Sequence, residues 1–371
     1  MPGFFVRLFF ITLTALCVSA CADRITAPVQ PEALTSENTR QIYVATNRQR
    51  NEAGHLHATR GAGMTFLDTT VSIPPSHIPG QPPSFSARPD SEKHFVIAQE
   101  RAIPTLQEFS HQISKDLATQ PPEDREVILF VHGFYNTYQD SLFRLAQIKS
   151  DFDLRGAVVN FAWPSAGSPI GYAYDRESVL YSRDDLEATL RALGTSQNRR
   201  LLLVGHSLGS LLITETLRQI ELKTPGWVAR NLDGLVLISP DMPVELFVRN
   251  LTPLKTLPRP TVIMTSTQDT ALRLSSRINR SNQRLGQLSN PDALADLPVI
   301  VVDVSKFSSD SSNNHMTFAE SPSLISLLSD AQGVDALLAP DDPNFLMRSA
   351  ERVRVTNEAI AIQVAAPADG S

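Results

Sequence analysis

From Arg125 to Phe307 the sequence alternates between short, continuously apolar runs and amphipathic stretches, and few architectures accept that pattern. "REVILFVHG" (125–133), "GAVVNFAWPS" (156–165), "RRLLLVGHS" (199–207), "LDGLVLISPD" (232–241), "RPTVIMTSTQD" (259–269) and "PVIVVDVSKF" (298–307) read as strands. "TYQDSLFRLAQIKSDF" (137–152), "DRESVLYSRDDLEATLRALG" (175–194) and "LGSLLITETLRQIEL" (208–222) have helical spacing, and shorter helices are expected near 244–252, 271–279 and 320–329. A strand that is apolar on both faces has to be covered on both faces. The pattern therefore predicts an α/β fold with a mostly parallel central sheet and helices on either side. Three earlier stretches, "QIYVATNR" (41–48), "MTFLDTTVSI" (64–73) and "HFVIAQERAI" (94–103), also read as strands, the last two separated by the proline-rich loop 73–90. Open sheets of this kind bind ligands beyond the C-terminal ends of their strands. Chemistry is expected there.

Four of those ends carry suitable groups: His132-Gly133-Phe134, Ser207, Asp269 and, after the last strand, His315. Ser207 lies in "GHSLG" (205–209), a Gly-x-Ser-x-Gly pattern. Alone the pattern is common. Between a clear strand and a clear helix it marks a turn so tight that the serine takes strained backbone angles, with the flanking glycines avoiding a Cβ clash. The strain projects a hydroxyl above the sheet at the positive end of the next helix. A serine nucleophile needs a base, and in this arrangement the acid and the histidine follow it in that order. Of the eight histidines only His315 follows Ser207. Two aspartates between them end strands, Asp241 in "ISPDMP" and Asp269 in "TSTQDTAL". Either could hold an imidazole; Asp269 follows the strand one before the last, the usual place for the acid.

These residues resemble the α/β-hydrolase superfamily, in particular a bacterial esterase/lipase-like branch catalogued as a domain of unknown function. The likeness rests on "FVHGFYNT" (130–137), "FAWPSAGSPIGYAYDRESVLYSRDDLEATLRAL" (161–193), "GHSLGS" (205–210), "STQDTALRLSSRI" (266–278) and "NHMTF" (314–318), and spans residues 40 to 330. It implies the α/β-hydrolase fold and a triad of Ser207, Asp269 and His315, with Asp241 as the alternative acid. The oxyanion donors expected for such a site are the backbone N–H groups of Leu208, after the nucleophile, and Phe134. The expected activity is hydrolysis of carboxylic esters through an acyl-enzyme. An amidase, peptidase or acyltransferase on the same triad is the alternative, as is an envelope lipoprotein that only binds. Asp269→Asn is expected to cripple the enzyme and Asp241→Asn to be mild. Trp163, Tyr172 and Tyr174 are candidates for an acyl pocket or for core packing, and Asp175 with Arg176 for a structural ion pair.

Other classes find little support. The net charge is −6 with no basic block, so no nucleic-acid partner is expected. "HLH" (55–57) offers two histidines but no third ligand, and no phosphate loop or dinucleotide fingerprint is present, so neither metal nor cofactor is expected.

The start of the chain, "MPGFFVRLFFITLTALCVSAC", has Arg7, a short apolar run and small residues before Cys21, and reads as a signal peptide over 1–20. "VSAC" (18–21) resembles a lipobox, and the only other cysteine, Cys17, lies inside the signal. The expected organisation is therefore a lipidated N-terminus and tether over 21–39, the hydrolase domain over 40–339 and a partly disordered tail over 340–371. The expected location is the bacterial cell envelope, with a lipid anchor on Cys21, favouring the outer membrane and facing the periplasm.

Overall fold

Three N-terminal strands, β1 (Thr39–Arg50), β2 (Leu56–Ser72) and β3 (Val96–Ile103), form an antiparallel meander. In the computed structural model, which describes residues 26–194, 200–279, 283–288, 290–310, 315–322, 324–325, 350–355 and 360–364, this meander flanks a parallel sheet. The parallel part contains β4 (Glu126–Val131), β5 (Ala157–Phe161), β6 (Arg200–His206), β7 (Gly234–Ile238), β8 (Thr261–Thr265) and β9 (Ile300–Asp303). With β10 (Ala350–Val355) and β11 (Ile360–Val364) the described order is β10-β11-β9-β8-β7-β6-β4-β5-β1-β2-β3, open at both ends.

The helices are α1 (Leu106–Ala118), α2 (Tyr138–Asp151), α3 (Tyr172–Tyr181), α4 (Arg183–Leu193), α5 (Leu208–Lys223), α6 (Trp227–Asn231), α7 (Val244–Leu251), α8 (Thr270–Asn279) and α9 (Thr317–Glu320). Alternate residues of one strand serve opposite faces, as the pleat requires. Val127, Leu129 and Val131 pack with Ile113 of α1, Leu190 of α4 and Leu212 of α5. Ile128 and Phe130 pack with Leu142 and Ala146 of α2 on the other face. Helix α2 starts where Thr137 and Asp140 form a reciprocal capping box, each side chain bonding the other's backbone N–H.

Three stretches differ from the sequence pattern. The helix expected over 175–194 is two helices broken at Ser182, a buried residue whose hydroxyl accepts from Asn47 Nδ2 at 3.1 Å. Part of the expected tail belongs to the sheet, since Ile360–Gln363 pair in parallel with Ile300–Asp303. Part of the expected tether is docked: Gln30 N donates to Ile97 O at 2.8 Å, and Ala27 and Ala33 are buried. In both places an outer strand offers backbone groups for pairing, which a reading of apolar periodicity does not register. Residues 1–25, with the expected signal and Cys21, and half of the expected helix near 320–329 lie outside the described residues. Among the described residues no helix is long and apolar enough to cross a membrane.

The β1–β2 hairpin reaches beyond the sheet and is pinned to α3. Tyr174 Oη donates to Ala58 O at 2.9 Å and Tyr181 Oη to Gly61 O at 2.7 Å, while the Arg60 guanidinium lies 4.4 Å over the Tyr174 ring. This arm stands at the edge where the parallel strands end.

Candidate active site

Ser207 occupies the turn between β6 and α5 with φ 54° and ψ −121°, angles that an L-residue adopts only under constraint. The constraints are visible. Ser207 N donates to Ile238 O at 3.0 Å, and Ser207 O accepts from Ser210 N and Asp241 N at 3.0 and 3.2 Å. Gly209 sits so close to β4 that a Cβ there would be 2.2 Å from Val131 O. Gly133 crosses the serine itself, since a Cβ on it would lie 2.7 Å from Ser207 Cβ. The elbow is thus wedged between β4, β7 and the loop after β4.

Asp269 follows β8 and is fully buried. Its two carboxylate oxygens have separate duties: Oδ1 accepts from Leu272 N at 2.9 Å, capping α8, and Oδ2 lies 2.7 Å from His315 Nδ1. His315 lies in the loop after β9, and its carbonyl is 3.3 Å from His206 Nε2, with the two imidazole rings 4.7 Å apart. Among the described residues no hydrogen bond joins His315 directly to Ser207; the elbow meets the histidine loop through His206, the neighbour of the serine. Burial pulls the His315 pKa down, but the charge and hydrogen bond of Asp269, with Asp241 and Glu320 further off, raise it on balance above the ordinary histidine value. Burial, with the His315 charge beside it, holds His206 well below that value.

Asp241, the alternative acid, points elsewhere. It accepts from Tyr172 Oη at 2.9 Å and Ser275 Oγ at 2.7 Å, and its Oδ1 lies 3.2 Å from Nε of Arg284, which is fully buried. The Tyr172 ring packs edge-on against Phe134, 5.4 Å between centroids, so this polar network backs the loop that carries the expected oxyanion donor.

That loop is held from several sides. Gly133 O meets His132 Nδ1 at 2.9 Å and accepts from Asn136 Nδ2 at 3.2 Å. A trans peptide sets its C=O and the next N–H antiparallel, so these bonds aim the Phe134 N–H the opposite way. His132 is buried, stacked 4.8 Å on Trp163, and burial beside Arg48 lowers its pKa to about 3. Asp175 accepts from Ser165 Oγ, Ala166 N and Tyr135 N at 2.5, 2.6 and 3.2 Å, tying the loops after β4 and β5 together. It forms no pair with Arg176, which donates instead to Asn279 Oδ1 at 3.3 Å. Trp163 belongs to the loop scaffold, its Nε1 donating to His132 O at 2.7 Å, and Tyr174 belongs to the hairpin contact.

Sequence reasoning missed Arg284, His206 as a support for His315, and Arg48. Arg48 had a signal: it continues the apolar strand of "QIYVATNR" to its C-terminal end. Among the described residues no group of three or more His, Cys, Asp or Glu is gathered as a metal ion would need.

The family described as "Alpha/beta hydrolase of unknown function (DUF900)" matches residues 106–331. No relative among the curated proteins matches the chain. Solved structures similar to it include an inhibited esterase B from Lactobacillus rhamnosis, 13% identical over 91% of this chain and 97% of that one, TM-score 0.35. A dienelactone hydrolase from Anabaena variabilis is 11% identical over 77% and 95%, TM-score 0.35. A fungal esterase from Rhizomucor miehei is 13% identical over 78% of each chain, TM-score 0.30.

Proposed function

Because the chain belongs to this α/β-hydrolase family of unknown function, with residues 106–331 matched, we propose that it is a serine hydrolase that cleaves carboxylic esters through an acyl-enzyme. The observation that carries the reading is the 2.7 Å contact between His315 Nδ1 and Asp269 Oδ2 beside a strained elbow serine. Nδ1 is bonded to the carboxylate, which leaves Nε2 to take the Ser207 proton as Oγ attacks the ester carbonyl. Asp269 fixes that tautomer and stabilises the imidazolium. The N–H groups of Leu208 and Phe134 receive the oxyanion; removing one such donor typically lowers kcat by about 10²–10³-fold. The imidazolium returns its proton to the leaving alcohol. Water, deprotonated by the same nitrogen, then releases the acid. Amide and thioester analogues of one acyl group tell ester preference from the alternatives.

The test is labelling with a fluorophosphonate probe. Wild type should label at Ser207 and hydrolyse a butyrate ester, and Ser207→Ala should lose both while remaining folded. More than a few per cent of residual activity would remove Ser207 from its role.

We also propose that residues 1–20 are a signal and that Cys21 is lipidated, placing the hydrolase at the cell envelope. The "VSAC" sequence and the lack of a second cysteine after the signal support this. Acyl label at Cys21, lost in Cys21→Ser together with membrane partition, tests it.

A further inference from the structure

We propose that the cleft on the β1 side of the Phe134 loop is a subsite for an anion, the carboxylate or phosphate carried by the substrate ester, with Arg48 as its counter-charge. Assigning the anion to the substrate rests on the hydrolase reading above; the anion site itself does not.

Arg48 pairs with Arg60 near the C-terminal end of β1 and is only 2% exposed. A buried cation requires compensation, normally by a carboxylate in contact. Arg48 has three backbone carbonyls instead: Nη2 donates to Asn136 O at 2.8 Å, and Nη1 to Ser165 O at 3.2 Å and His57 O at 3.4 Å. Of the five guanidinium N–H groups these bonds use three, and Nε is buried with no acceptor. Among the described residues no carboxylate is within ion-pair distance of it. The charges of Asp175 and Asp140 reach it, but both carboxylates face other donors: Asp175 the three noted above, Asp140 the Thr137 N–H and hydroxyl at 2.8 Å each. Burial lowers the Arg48 pKa to about 10, which leaves it a cation at neutral pH.

The second observation is what shares the cleft. Its volume is about 450 Å³, and with Arg48 it is lined by Thr137, Tyr138 and Gln139, the first turn of α2. The capping box consumes the amides of Thr137 and Asp140. The Tyr138 and Gln139 N–H groups belong to the orphan donors of the helix start, at the positive end of a helix dipole. A buried guanidinium and a helix N-terminus around one space of small-molecule size select a negative group. Tyr135 also lines the cleft and follows Phe134, so one loop separates the anion from the scissile carbonyl.

The full chain is tested in two arms. Calorimetry with inorganic phosphate should show saturable binding, and Ser168→Asp, at a partly exposed position lining the cleft, should weaken it on the order of tenfold or more. Wild type should favour the mono-p-nitrophenyl ester of glutaric acid over the neutral butyrate ester by at least about tenfold in kcat/KM, and Ser168→Asp and Arg48→Gln should each lose that ratio. The neutral ester controls for folding and chemistry. No phosphate binding, or binding that Ser168→Asp leaves intact, overturns the site. Phosphate binding with equal use of both esters overturns the assignment of the anion to the substrate. If neither ester turns over and Ser207 takes no probe, the hydrolase reading fails, and the calorimetry still decides the site.

Discussion

Asp241 and Arg284 form an ion pair sealed inside the protein, Oδ1 to Nε at 3.2 Å with 4% and 0% of the side chains exposed. The pair supports the proposed choice of Asp269 over Asp241 as the acid, the choice that strand order already favours. The oxygens of Asp241 face a buried guanidinium, a tyrosine and a serine, whereas Asp269 presents one oxygen to its own helix and the other to His315. Asp241 therefore belongs to the wall behind the Phe134 loop.

Asp241→Asn should consequently be destabilising, where the sequence alone suggests a mild change. It leaves Arg284 charged and buried, with Nε and Nη1 already lacking a hydrogen-bond partner. Breaking one side of such a pair costs about 3–5 kcal/mol. Urea unfolding of the variant should show a correspondingly lower midpoint, and replacing both partners with apolar residues should recover much of the loss. A midpoint equal to wild type would mean that the pair is not formed.

Asp269→Asn should do the opposite, sparing the fold and removing the chemistry. The amide oxygen can still accept from Leu272 N, so the start of α8 survives. The amide nitrogen would face His315 Nδ1 as a donor and favour the wrong tautomer. A loss of kcat on the order of 10⁴ is expected, with an unchanged far-ultraviolet spectrum. Activity within tenfold of wild type would point to a Ser–His dyad.

The pH profile follows from the raised pKa of His315. The base works only when neutral, so kcat/KM should rise with pH along a limb centred above about 6.5, the ordinary histidine value. The same shift contributes to stability in the reverse sense. A histidine with a raised folded pKa binds its proton more tightly when folded, so the contribution is complete below the unfolded value and is lost as pH rises through the folded one. Asp269→Asn should move the residual activity's limb downwards. A wild-type limb below 6 would contradict the contact.

The sheet centre and the elbow were legible because both are written locally. Strands such as Val127–Val131 are apolar throughout since each face meets helices, and "GHSLG" states its own turn. His315 is proposed as the base by elimination, and its contact with Asp269 supports that reading. The partners of Asp241 were not legible, because Arg284 approaches from a loop 43 residues away in sequence and nothing in "NQRLGQ" marks it as buried. Strand β11 was missed for another reason: at the sheet margin a five-residue run is admitted by backbone pairing, which leaves little trace in side-chain periodicity.

The two glycines of the elbow should differ in their tolerance of alanine. At Gly205 the nearest atom to a new Cβ is Ile213 Cδ1 at 2.7 Å, the end of a side chain that can rotate, although the Ser210 backbone stands at 3.0 Å. At Gly209 the obstacles are Val131 O at 2.2 Å and His132 O at 2.6 Å, backbone atoms of β4 and its exit. Those atoms are fixed by pairing on both sides of β4, with β5 and β6. Gly209→Ala must therefore push the start of α5 off the sheet, and the Ser207 hydroxyl and Leu208 N–H move with it. Overpacking of this kind usually costs about 1–3 kcal/mol and sometimes more. Gly205→Ala is expected within that range with probe labelling retained, and Gly209→Ala at or beyond its upper end with labelling lost. Thermal melts and fluorophosphonate labelling of both variants measure this directly. A Gly209→Ala protein that melts and labels like wild type would show that α5 is not pressed against β4.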